Sequence, residues 1–209
     1  MALILRPEHA DEHGLVAVGG DLRMATLLRA YRNGIFPWFN EGDPIFWWSP
    51  DPRAVVEFDH FYLTRRLART IRADKFRLTI NQAFGDVIRG CADRDGTWIT
   101  GDMIQAYQRL HEAGHAHSIE AWRGDQLAGG VYGVAVGGLF AGESMFHRLR
   151  DASKVALAYL LEYLHVRGFT LFDTQVVTQV TASFGAIEIP RTEYLTRLKK
   201  ALERPVTFV

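Results

Sequence analysis

The sequence predicts an α+β chain in two parts: a small N-terminal α/β unit over residues 1–65 and a larger mixed α/β unit over residues 66–209. Three observations lead there. With 209 residues, 48% hydrophobic and 23% charged, the chain can bury a real core, but it is long enough for only one large domain or two small ones. Prolines 37, 44, 50 and 52 and tryptophans 38, 47 and 48 crowd into one short segment, which reads as a rigid aromatic loop within the N-terminal unit. Residues 117–146 alternate strand-like runs with glycine turns, and a long apolar helix pattern follows.

The elements follow in order. Asp21 is placed to cap a helix whose apolar residues Leu22, Ala25, Leu28 and Ala30 lead to a stop at Asn33-Gly34. After the aromatic loop, Ala54, Val55, Val56 and Phe58 read as a short strand. From His60 to Arg77 the chain turns basic, and a helix is expected to carry Arg65, Arg66, Arg69 and Arg72 near the boundary between the units. Thr100 caps a helix with Met103, Ala106, Tyr107 and Leu110 on one face, closed by Gly114. His117–Trp122, Leu127–Val136 and Leu139–Phe146 read as three strands, and their turns at Arg123-Gly124-Asp125 and Gly137-Gly138 favour an antiparallel meander. A helix from Ala152 to Arg167 ends at Gly168, a strand covers Phe169–Gln175, and a last helix runs from Thr192 to Glu203.

Composition narrows the function. Twenty-four basic residues balance 24 acidic ones, so the chain lacks the overall positive charge of a nucleic-acid coat protein, and any RNA binding would rest on a local patch. A single cysteine, Cys91, can form no internal disulfide and no thiolate cluster, which points to the cytoplasm. The first twenty residues carry Glu8, Asp11 and Glu12 where a signal peptide would be basic and then apolar, and no run of 18 apolar residues suggests a membrane span.

Several groups of residues are candidates for chemistry. His111-Glu112-Ala113-Gly114-His115 fits the H-E-x-x-H pattern in which two histidines one helical turn apart ligate zinc. The expected third ligand is absent nearby, and His115 falls where a helix pattern gives way to a strand, so the other reading is a helix C-terminus complemented by histidine. Asp173 and Gln175 lie at i and i+2 on a strand, so their side chains are expected to look into the same space; the alternative is a strand end turning to solvent. Glu143 interrupts the apolar strand Gly142–Phe146 and must face water or find a partner, while Met145 and Phe146 either line a pocket or fill a sheet core. Trp38 and its aromatic neighbours suit stacking on a nucleobase, or simply pack over the domain junction. The arginines from Arg65 to Arg72 either contact phosphates or solvate a helix face.

Read in order, three blocks are distinctive: Ala17-Val18-Gly19-Gly20-Asp21-Leu22, Ala30 to Phe39, and Trp47 to Arg53. They resemble the leucyl/phenylalanyl-tRNA–protein transferase family. The likeness continues through Gly96–Thr100, His111–Ser118, Gly142–Phe146, Ala152-Ser153-Lys154, Asp173-Thr174-Gln175 and Ile189-Pro190-Arg191, and covers nearly the whole chain. It implies an acetyltransferase-like (GNAT) fold for the larger unit. It also implies an enzyme that moves Leu, Phe or Met from aminoacyl-tRNA to proteins beginning with Arg or Lys, marking them for N-end rule degradation. No metal or other cofactor is expected, since the family carries the histidine string without one, and a monomer is expected. By the same resemblance Trp38 stacks on the terminal adenosine, Trp98 helps form the cavity, Glu143, Ser144, Met145 and Phe146 border the aminoacyl pocket, and Asp173 and Gln175 present the acceptor amine. Arg65, Arg66, Arg69 and Arg72 are the expected tRNA contacts.

The sequence departs from the family at Gln179-Val180, where a histidine is expected, at Phe184, and at Leu160 and Leu164, where aromatic residues are expected. These last two leave the preference among Leu, Phe and Met open. The rival readings are a zinc-dependent hydrolase, an acyl-CoA N-acyltransferase and an RNA-binding module. The second needs a glycine-rich pyrophosphate loop, and Ser144–Ser153 lacks one.

Overall fold

The computed structural model describes residues 5–93 and 96–209, so Met1–Ile4 of the expected N-terminal unit lie outside the described residues. A short sheet comes first. β1 (Leu15–Val18), β2 (Phe36–Pro37) and β3 (Phe46–Trp48) form three antiparallel strands in the order β1-β3-β2. Between β1 and β2 lies helix α1 (Met24–Arg32), which buries Leu27, Leu28, Ala30 and Tyr31. Asp21 does not cap it. Arg23 holds that position, and the Asp21 carboxylate instead accepts the Arg23 N–H and the Thr26 hydroxyl, a turn that delays the helix by two residues. Gly34, at φ +71°, closes the helix as expected.

The second sheet has seven strands. β4 (Arg53–Val56) leads to α2 (Arg65–Arg72), β5 (Arg77–Ile80), α3 (Phe84–Ala92) and α4 (Gly101–Glu112). The expected meander follows as β6 (Ala116–Arg123), β7 (Gln126–Val136) and β8 (Leu139–His147), all antiparallel. Then come α5 (Ala152–Val166), β9 (Leu171–Gln175), α6 (Gln179–Ser183), β10 (Ile187–Ile189) and α7 (Arg191–Leu202). The sheet order is β10-β4-β9-β8-β7-β6-β5. β4, which precedes the expected boundary at residue 65, is hydrogen-bonded between β10 and β9 and so belongs to the larger sheet.

Burial explains the layers. α5 is apolar almost all round and buries nine residues, from Ala152 to Leu164, against the sheet, as expected of a helix that crosses a core. α3 and α4 cover another part of the core through Val87, Ile88, Met103 and Tyr107, together with α1 and the small sheet. Gly133 on β7 is required by contact: a β-carbon there would lie 2.3 Å from the Ala141 carbonyl. Among the described residues no helix is long and apolar enough to cross a membrane.

β8 and β9 are the parallel pair on which the site depends. They pair from Leu139↔Leu171 to Ala141↔Asp173. Beyond that point no further pairing joins them, and the chain residues that follow, Glu143 on one strand and Gln175 on the other, meet by side chain alone.

Candidate functional site

A cavity of about 760 Å³ opens past this last pair. One part of its wall is apolar, built from Val131, Met145, Leu157 and Phe172; another is aromatic, with Phe36, Trp38, Trp98 and Phe146. Glu143 and Gln175 line it, and Ser144 stands beside them.

Both Glu143 and Gln175 reach the cavity through irregular strand geometry. In the β7–β8 ladder Tyr132 pairs with Ser144 and Gly133 with Gly142, so Glu143 is an extra residue bulged from its strand. In the β4–β9 ladder Val55 pairs with Asp173 and Ala54 with Gln175, so Thr174 is extra there, and Gln175 follows at φ +65°. A bulge turns a side chain away from the direction simple alternation would give. This corrects the expectation that Asp173 and Gln175 look into one space: Gln175 lines the cavity, and Asp173, 1% exposed, does not.

The Asp173 carboxylate is fully engaged. Its Oδ1 accepts Arg53 Nε–H at 2.8 Å and the Gln175 backbone N–H at 2.8 Å; its Oδ2 accepts Arg53 Nη2–H at 2.6 Å and the Tyr194 hydroxyl at 2.8 Å. Arg53, 1% exposed, also donates to the Gly34 carbonyl and lies between the Phe36 and Tyr194 rings. Burial acts to lower the arginine's pKa, but the charge and hydrogen bonds of Asp173 together with Tyr194 and Glu143 carry the net shift upward. Asp173 therefore fixes the backbone of Gln175 from behind the cavity.

Glu143, 8% exposed, has a different environment. Its Oε1 accepts the Tyr31 hydroxyl at 2.9 Å and Gln175 Nε2–H at 3.0 Å, and its Oε2 accepts the Tyr107 hydroxyl at 3.1 Å. Burial pushes its pKa up, the two tyrosine hydrogen bonds pull it down, and Asp173 and Arg53 act in opposite senses; the outcome is about 7. Burial, and then the Glu143 charge, hold both tyrosine hydroxyls protonated, so they stay donors.

Of the residues expected at the site, Trp38, Trp98, Glu143, Ser144, Met145, Phe146 and Gln175 come together around one cavity. Asp173 stands behind it, and Arg65, Arg66, Arg69 and Arg72 lie outside its lining on exposed α2. Tyr31, Tyr107, Arg53 and Tyr194 were not among the expected site residues. Arg53 directly precedes the strand pattern that begins at Ala54, and nothing in its local sequence marks it as a buried charge.

The histidine string is not one helix face. α4 ends at Glu112, and His115 lies beyond Gly114 at φ +77°. His111 bonds the Ala116 carbonyl through Nδ1 and stacks on Phe84, with ring centres 4.3 Å apart. The i, i+4 pair that the zinc reading requires is therefore broken by the helix end.

Comparison with known proteins supplies the family. Residues 55–199 match the family described as leucyl/phenylalanyl-tRNA protein transferase, and residues 20–51 match its N-terminal domain. A leucyl/phenylalanyl-tRNA–protein transferase of Anaeromyxobacter sp. (strain Fw109-5) is 54% identical over 204 residues, 95% of this chain and 87% of that protein. One of Enterobacter sp. (strain 638) is 57% identical over 196 residues, 92% of this chain and 84% of that protein. Among solved structures, that of L-PGS from Bacillus licheniformis superposes with a TM-score of 0.44 at 12% identity, covering 75% of this chain and 52% of that one. Identity above one half along almost the full length, in a chain whose matched segments build both walls of the cavity, means that this chain belongs to the leucyl/phenylalanyl-tRNA protein transferase family.

Proposed function

We propose that the protein takes Leu, Phe or Met from its tRNA ester and joins it to the N-terminal Arg or Lys of an acceptor protein, creating an N-end rule degradation signal. The observation that carries this reading is the hydrogen-bonded Gln175–Glu143 pair in a cavity that apolar side chains and aromatic rings also line. The apolar wall suits the side chain of Leu, Phe or Met, and Trp38, 47% exposed, offers a face to the terminal adenine. Because Gln175 Nε2 donates to Glu143, its Oε1 is left to accept an N–H of the incoming amine.

The reaction needs no external energy, because the aminoacyl ester is already activated. The neutral amine attacks the ester carbonyl carbon, a C–N bond forms, the C–O bond to the ribose breaks, and one proton passes from nitrogen to the departing ribose oxygen. Positioning supplies much of the rate. Glu143, titrating near neutral pH, is matched to take that proton and return it. Asp173 acts through the backbone of Gln175 and is a positioning residue.

The test mixes the protein with radiolabelled leucyl- or phenylalanyl-tRNA and a peptide beginning with Arg, without CoA and with a chelator. Label is expected in the peptide and not in an N-acetylated control. Absence of transfer with all three aminoacyl-tRNAs would overturn the reading.

Two substitutions extend it. Among the described residues lining the cavity, Asp93 is the exposed carboxylate, and it supports recognition of the acceptor's cationic side chain. Asp93→Asn is expected to raise KM for an Arg-peptide about tenfold, the loss of one charge-assisted contact, with kcat little changed. At Gly90 a β-carbon would lie 2.7 Å from the Phe146 ring, which itself lines the cavity. Gly90→Ala is expected to drive that ring into the cavity, cutting kcat/KM while costing about 1–3 kcal/mol in urea unfolding.

A further inference from the structure

We infer that Arg148 grips a phosphodiester of the single-stranded 3′ end of the tRNA at the rim of the cavity; the inference rests on the transfer reading above. Arg148 follows β8 directly and lines the cavity. Its backbone is pinned, the N–H donating to the Ala128 carbonyl at 2.7 Å. Its side chain is not spent on structure: the guanidinium lies 5.5 Å from the Phe146 ring centre and makes one long bond, 3.4 Å, to the Leu127 carbonyl. Among the described residues no carboxylate pairs with it. The nearest acidic residue in sequence, Asp151, is taken by Arg66 at 2.9 Å.

An arginine stacked on an aromatic ring, facing a cavity, with most of its donors unspent, is suited to bidentate capture of a phosphate oxygen pair. The geometry also gives the anion a direction. The ester must reach Gln175 and Glu143, so the nucleoside that bears it occupies the cavity, and the first charge on the departing strand is its own 5′ phosphate. Two residues on stands exposed Arg150, and next to it Asp151 accepts Arg66 of α2 at 2.9 Å, which ties this end of β8 to the arginine-bearing helix. A strand leaving the cavity at Arg148 therefore departs on the side of the Asp151–Arg66 pair, towards the α2 arginines, which do not line the cavity themselves.

The experiment compares two donors, phenylalanyl-tRNA and phenylalanyl-adenosine, which carries the same ester and no phosphate. Arg148→Gln is expected to lower the tRNA-over-adenosine preference in kcat/KM by about tenfold or more, the loss of one charge-assisted contact. Arg148→Lys is expected to fall between the two, since an ammonium keeps the charge and loses the fork. The log–log salt slope for tRNA is expected to become shallower by about 0.7 per phosphate contact removed. An unchanged preference, with both donors losing equally or neither losing, would overturn the inference and assign Arg148 to the aminoacyl pocket or to structure. Failure of the wild-type protein to use either donor would instead remove the transfer reading beneath it.

Discussion

Arg53→Ala is expected to lower unfolding stability by about 3–5 kcal/mol, because it strands Asp173 as an unpaired buried charge. Both side chains are almost fully buried, and the pair is bidentate, with Arg53 Nη2 2.6 Å and Nε 2.8 Å from the two carboxylate oxygens. Removing both charges is a different experiment. Arg53→Met together with Asp173→Asn keeps an acceptor for the Gln175 N–H and leaves no ion without its counterpart, and it is expected to recover most of the lost stability. Urea unfolding of the single and double variants measures this; an Arg53→Ala loss below about 1 kcal/mol, the range of an exposed pair, would contradict the arrangement.

The double variant also separates two roles for Asp173. If it positions Gln175, kcat in the double variant falls by no more than about tenfold, because the retained amide oxygen still holds the Gln175 backbone. If it took a proton from substrate, loss of the carboxylate would cost on the order of 10²–10⁴ in rate. The larger loss would restore Asp173 to direct chemistry in spite of its place behind the cavity.

What could be read from the sequence depended on whether its signal was local. The meander β6–β8 was legible because each turn carries a glycine the backbone needs, Gly124 at φ +58° and Gly137 at φ +55°. The helix from Ala152 was legible because its apolar run is long and ends at Gly168, at φ +85°. The Gly142–Phe146 block, Trp38 and Trp98 could be placed at a site from the family resemblance and from the anomaly of a glutamate in an apolar strand.

The two bulges were not legible. Alternation assumes an unbroken ladder, and one extra residue reverses every direction after it. Thr174 carries no mark that would distinguish it from a regular strand residue, so simple alternation puts Asp173 and Gln175 on one face where the bulge parts them. The partners of the buried charges were hidden for another reason. Arg53 and Asp173 are 120 residues apart, and Tyr31 and Glu143 are 112 apart; nothing local to either end announces such a meeting. β1, β2, β3, β5, β10, α3 and α6 escaped because they are short or carry mixed patterns, and β2 and β3 lie in the segment that reads as an aromatic loop.

Glu143→Gln is expected to lower kcat/KM by about 10²–10⁴ and to remove one inflection from its pH profile. In the wild-type protein the carboxylate takes its working, charged form as pH rises through about 7, so kcat/KM climbs across that value. The acceptor amine adds its own inflection near pH 7.7–8.0, and that one is expected to remain in the variant. Stability moves in the opposite direction. The folded pKa, about 7, lies above the ordinary 4.5, so the folded protein binds this proton more tightly than the unfolded chain. The resulting stabilisation is fully present below pH 4.5 and is lost as pH rises through about 7, a fall of roughly 3 kcal/mol. Glutamine is neutral throughout and still lies between Tyr31, Tyr107 and Gln175, so the variant should lack that decline. Urea unfolding from pH 5 to pH 8.5 is therefore expected to show the variant gaining on the wild type up to about pH 7 and holding that gain above it, while remaining the poorer catalyst. Parallel stability curves, or a variant that keeps the inflection near pH 7, would mean that Glu143 is not the titrating group and that the proton leaves the amine by another route.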